Sequence, residues 1–189
     1  MVTDIFMSLI LLALMFYSFT RPHVAACMAV WINLVKPQNT SFAFLAGQPL
    51  SLITTALFFL VLIFNFNKLR VPRSKFYHFV MIGFMVWVTI ASFLGEYQNV
   101  VWIKYDFVIK TLIFAYFIPF TLTKRAHVEM FLWICVASFG LFLCMAGIKT
   151  LLGGGGYGVS LIGIGGFMYS EGSTLASLAV CLIPLFVAL

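Results

Sequence analysis

The sequence predicts an all-α fold, a polytopic transmembrane helical bundle of about seven membrane helices, and three observations predict it. Hydrophobic residues fill 63% of the 189 positions and charged residues only 8%, with a mean hydropathy of +1.13. The apolar residues gather in seven runs separated by polar connections. Lysine and arginine fall mainly on alternate connections. A soluble domain of this size would lack the polar surface to cover so much apolar side chain, whereas lipid solvates it directly.

The runs span residues 5–20, 23–35, 50–66, 76–94, 107–122, 128–148 and 174–189. A helix needs about 20 residues to cross the hydrocarbon, or roughly 17 where the bilayer thins. The first run follows Asp4 with no basic residue before it, consistent with an outside N-terminus. It lacks the basic leader and small-residue cleavage site of a secretory signal.

The second run is short for a crossing. It begins after Arg21-Pro22, where proline favours a helix start and disfavours helix at the preceding residue. Either it recruits polar residues at its ends, or it forms a re-entrant hairpin with the first run. Seven crossings are expected, with five full ones as the minimum. The connection from Lys36-Pro37-Gln38-Asn39-Thr40-Ser41 to Ala46-Gly47-Gln48-Pro49 carries aromatics between its prolines, as suits an ordered loop lying on the membrane. Asn39-Thr40-Ser41 fits a glycosylation sequon, a triplet that chance produces often.

Orientation follows from the basic residues. Connection 67–75 holds Lys68, Arg70, Arg73 and Lys75, and connection 123–127 holds Lys124 and Arg125. With both in the cytoplasm the Arg21 corner is there too, so seven of the eleven basic residues lie inside. Lys36, Lys104, Lys110 and Lys149 remain for the outer side or helix five. Connections 95–104 and 149–173 are then outside. The net charge of +6 is a topology signal and not a nucleic-acid footprint, since no folded basic domain accompanies it.

Glu129, at the start of the sixth run, has the sign that favours a helix N-terminus. Cys27, Cys135, Cys144 and Cys181 lie in apolar runs without metal-ligand spacing and read as buried small hydrophobes. His23, His78 and His127 stand singly near helix ends and read as interfacial polar residues. Residues 1–189 form a single transmembrane domain. From Leu175 the chain runs apolar to Leu189 without a charged anchor, so it is expected to be the N-terminal part of a longer protein.

Chemistry is expected on the outer connections. The second reads Gly95-Glu96-Tyr97-Gln98-Asn99-Val100-Val101-Trp102-Ile103-Lys104-Tyr105-Asp106 and enters helix five through Phe107-Val108-Ile109-Lys110. Asp106 and Lys110 share a helix face in the favourable acid-before-base order. Lys110 sits about one turn inside the expected boundary, where an unpaired ammonium is costly. It either pairs with Asp106 and snorkels outward, or joins Lys104 in presenting positive charge to an anionic lipid-linked group; the two are compatible.

The third outer connection places eight glycines in the fourteen residues from Gly153 to Gly166. Such backbone can approach a ligand closely. It is neither a P-loop, lacking Gly-Lys-Ser/Thr, nor a dinucleotide fingerprint, lacking a preceding strand. Ser173 or Glu171 is placed to cap the seventh helix. No nucleophile stands at motif spacing from a base.

The succession Arg21-Pro22-His23, Lys36-Pro37 with its aromatic loop to Pro49, Trp102-Ile103-Lys104-Tyr105-Asp106 with Lys110, and the glycines from Gly153 to Tyr157 resembles the N-terminal region of the O-antigen ligase family. It is most similar to the exosortase-A-associated O-glycosylation ligases, over nearly the whole chain. The resemblance implies glycan transfer from a polyprenyl-diphosphate carrier to an acceptor at the outer face of the bacterial inner membrane. Donor-binding positions would be Lys104, Lys110, Asp106 and Trp102. No metal or nucleotide cofactor is implied, because the diphosphate lipid is itself the activated donor.

The family's catalytic loop would lie beyond Leu189, so residues 1–189 alone are expected to be inactive. The chain departs from the family at Ser170-Glu171-Gly172-Ser173-Thr174, where members usually carry an Asp-Asn stretch. An O-antigen polymerase, or a transporter or structural subunit without chemistry, are the alternatives.

Overall fold

A computed structural model describes residues 2–37, 47–152 and 172–188. Seven α-helices and one 3-10 turn make up the regular structure of the described residues: α1 (Val2–Thr20), α2 (Pro22–Val35), α3 (Leu50–Phe64), the 3-10 turn Phe66–Lys68, α4 (Lys75–Phe93), α5 (Gln98–Thr121), α6 (Arg125–Leu152) and α7 (Gly172–Ala188). The all-α class expected from the sequence is what forms. The chain folds as two compact units, one of Met1–Phe66 with Lys124–Leu189, the other of Asn67–Thr123.

The first unit is organised around α2, which contacts α1, α3 and α6. Pro22 occupies the first turn, where its missing N–H costs nothing, and Arg21 before it is extended. Ala25, Ala26, Ala29 and Ile32 are fully buried, and the small alanines let neighbouring backbones come close. Lys36 ends the helix in the left-handed region at φ 47°, its N–H donating to the Ile32 carbonyl. Pro37 follows, as is common after such caps. At 14 residues α2 measures about 21 Å, and enclosure by three other helices explains how so short an apolar helix is satisfied.

Polar side chains bridge these helices. Asn33 Nδ2 donates to Ala29 O (2.8 Å) and across to Thr55 Oγ1 of α3 (3.2 Å). Buried Asn65, just past α3, donates to the Phe19 carbonyl of α1 at 2.9 Å. The C-terminal ends of α1 and α3 therefore lie at one level, with α2 running back between them. Contacts of α6 with α2 and α7 complete the unit.

The second unit is the antiparallel pair α4 and α5. Ser74 caps α4 by accepting from the Tyr77 N–H at 3.3 Å. Among the described residues, α4 is the one helix long and apolar enough to cross a membrane by length and composition. Phe79, Phe84, Trp87, Ile90 and Phe93 are all exposed along it, so the helix offers apolar surface round most of its circumference.

Helix α5 departs from expectation. Residues 98–106 were expected as connection, but the helix starts at Gln98. Val100 and Val101 donate to the Tyr97 carbonyl, and Gln98 Nε2 donates to Phe93 O (3.1 Å) and Gly95 O (2.7 Å), closing the α4–α5 turn tightly enough for helix to begin at once.

Candidate functional site

All four residues expected to bind the donor lie on α5. Trp102, Asp106 and Lys110 follow one another at intervals of four and share one face. Lys104 stands about 9 Å along the axis from Lys110 and about 120° round it, so the helix separates the two lysines. The geometry is a three-residue strip with a fourth cation on a different face.

The strip is ordered by its neighbours. Lys110 Nζ lies 2.6 Å from Asp106 Oδ2, with side chains 71% and 62% exposed. An ion pair this open contributes little to stability and leaves the outer faces of both groups accessible. The Trp102 indole meets Phe93 of α4 edge to face at 5.1 Å and Tyr105 at 5.3 Å. Tyr105 is held in turn by its hydroxyl, 3.1 Å from Thr89 Oγ1 of α4. Exposed Lys104 makes no ion pair with any described residue. At the head of the strip, residues Glu96, Tyr97, Gln98, Asn99 and Val100 line a depression of about 430 Å³.

Because α5 begins early, Lys110 is its thirteenth residue. The apolar boundary at Phe107 still leaves Lys110 one turn beyond the acid that balances it. Such a strip can present an ammonium to a phosphate oxygen while the indole covers an apolar or sugar surface. It holds no nucleophile, and among the described residues no three His, Cys, Asp or Glu side chains gather to hold a metal.

The histidines do not stand alone. His23 and His127 stack with ring centroids 3.7 Å apart. In the second unit His78 Nε2 donates to the Pro72 carbonyl at 3.0 Å, since that oxygen can only accept, and Nδ1 then accepts from the Tyr116 hydroxyl at 3.0 Å. Tyr77 donates to the Tyr116 carbonyl at 3.0 Å. Nothing in the spacing of these residues announces the contacts; only their shared place at basic helix ends points to them.

Cys27 and Cys135 are buried as expected, but Cys144 and Cys181 are exposed. Glu129 accepts from Arg125 Nε at 2.7 Å on α6, so its charge is engaged one turn from the helix start. The sequon at Asn39, the glycines from Gly153 to Gly166 and the capping role of Glu171 lie outside the described residues.

No curated protein and no solved structure matches the chain. A family model described as a family of unknown function, DUF5935, matches residues 2–189, and the chain belongs to that family.

Proposed function

We propose that this chain is the N-terminal membrane region of an O-antigen-ligase-like enzyme of the bacterial inner membrane, with five to seven helices crossing and a polyprenyl-diphosphate-linked glycan as donor. The observation that carries the reading is the exposed Asp106–Lys110 pair at 2.6 Å, placed in register with Trp102 on α5 where its long apolar stretch begins. An ammonium at that depth is retained at a cost unless it meets a second anion, and a diphosphate supplies one.

The membrane setting draws on the exposed apolar side chains of α1, α3, α4 and α7. Water would not tolerate a surface of that extent, and lipid does. At 14 and 15 residues, α2 and α3 are short, but they run antiparallel. Whether both cross or both re-enter, the chain returns to the same side, so the orientation read from the basic residues is unchanged. Within the first unit the stack of His23 on His127 brings the Arg21 corner and the Lys124-Arg125 connection to one end, as that orientation requires.

The test is glycan transfer in cells carrying the full-length gene with Lys110→Met, Lys110→Arg, or Lys110→Met with Asp106→Asn. Donor binding predicts that Lys110→Met loses most transfer at normal membrane abundance, and that Lys110→Arg keeps part of it because the charge survives. Full activity in the double variant would remove Lys110 from the site and favour a purely neutralising pair.

A further inference from the structure

Resting on the membrane reading above, we propose that the segment from Lys68 to Phe79 is a docking surface for anionic phospholipid headgroups, its cations taking the phosphates and its apolar side chains entering the acyl boundary. Lys68, Arg70, Arg73 and Lys75 are all exposed within eight residues. Of the carboxylates of the same unit, Glu96 stands beyond the other end of α4, about 28 Å away along a 19-residue helix, and Asp106 lies near the level of Thr89, about 21 Å along it, paired with Lys110. The positive field at this end is therefore not neutralised within the unit.

Charge alone would describe any cytoplasmic loop. Two further features single this one out. Val71 stands among the cations and Phe76 and Phe79 follow directly after them, exposed by 70%, 76% and 77%. Side chains of that size standing in water are unfavourable, whereas a basic stretch adjoining exposed apolar side chains suits the boundary between headgroups and acyl chains.

The segment is also fixed in place. The Arg70 N–H donates to the Phe120 carbonyl at 3.1 Å, His78 donates to the Pro72 carbonyl, and Ser74 caps α4. A surface held this way gives up little conformational entropy when it binds. Nucleic acid would engage the cations and leave the three apolar side chains in water. An anionic lipid satisfies both sets.

The experiment uses the full-length protein in vesicles of phosphatidylcholine with a minor fraction of phosphatidylglycerol, followed by detergent extraction and lipid mass spectrometry. The wild type should retain phosphatidylglycerol enriched over the bulk. The triple variant Arg70→Gln, Arg73→Gln, Lys75→Gln should lose that enrichment by about tenfold, since each headgroup cation contributes severalfold. The variant Arg70→Lys, Arg73→Lys should keep it, and raising salt should weaken it in the wild type. Equal enrichment in wild type and triple variant, or none in either, overturns the docking surface. Carbonate extraction of the same vesicles reads membrane insertion separately: a chain that resists extraction but shows no lipid preference refutes the docking alone, and a chain that is extracted refutes both.

Discussion

His23 and His127 lie face to face, ring centroids 3.7 Å apart and planes within 12°, joining the start of α2 to the start of α6. Arg21 and Lys124 stand close enough to act electrostatically on His23. Two helix N-termini, two stacked imidazoles and two permanent cations thus meet at one end of the first unit. The contact works through ring faces and leaves no room for a further positive charge.

That arrangement predicts opposite outcomes for two substitutions at one position. His127→Phe keeps a flat ring against His23 and should leave the thermal midpoint of the purified protein near the wild-type value. His127→Lys sets an ammonium among Arg21, Lys124 and the positive helix ends, and should destabilise by about 1–2 kcal/mol, less at high salt. Equal effects of the two changes would mean that packing volume, and not charge, governs the contact.

The turn between α4 and α5 makes a second prediction. A Cβ on Gly95 would lie 2.9 Å from Val101 Cγ2, closer than side chains approach without moving. Gly95→Val should therefore cost about 1–3 kcal/mol and shift the start of α5. Pairing it with Val101→Ala should recover most of the loss, as measured by thermal unfolding in detergent. Failure of the smaller partner to rescue would place the strain elsewhere in the turn.

Asn65 offers a third. Its amide donates to both Phe19 O and Val61 O, at 2.9 and 3.1 Å, and is buried. Asn65→Leu fills similar volume but leaves the Phe19 carbonyl, at the end of α1, without that donor. A loss of about 1–3 kcal/mol is expected, and hydrogen exchange should accelerate in the last turn of α1. An unchanged exchange pattern would show that the α1–α3 bridge contributes nothing to that end.

Much of this fold is legible because the apolar runs are long and a helix satisfies its own backbone hydrogen bonds within one segment. The runs at 5–20, 76–94 and 174–189 differ from α1, α4 and α7 by a few residues at most. The apolar pattern starts helix α5 only at Phe107 because Gln98, Asn99, Lys104 and Asp106 read as connection, whereas the close α4–α5 turn lets helix start with polar residues on its exposed face. The site strip was readable from i,i+4 spacing alone. That Lys104 faces away from Lys110 follows from nine added helical residues that the apolar pattern does not mark. The His23–His127 and His78–Tyr116 contacts join residues 104 and 38 positions apart. Periodicity carries no information about pairing over such distances.

Orientation is tested best at exposed positions whose side chains hold nothing in place. Ser74 caps α4 and Gln98 closes the α4–α5 turn, so replacing either would disturb the segment being probed. Arg73 and Asn99 are exposed at opposite ends of the α4–α5 pair and make no side-chain hydrogen bond or ion pair with any described residue. Single cysteines at these positions, in a background with Cys27, Cys135, Cys144 and Cys181 replaced, should react differently with an impermeant thiol reagent applied to intact cells. Asn99→Cys should label from outside. Arg73→Cys should label only after permeabilisation, because a connection carrying four cations is held on the cytoplasmic side. The reverse pattern would invert the topology, put Lys110 at the wrong face for an outer-leaflet donor, and send the basic loop to the outer leaflet. Labelling of both positions from outside would mean that α4 does not cross at all.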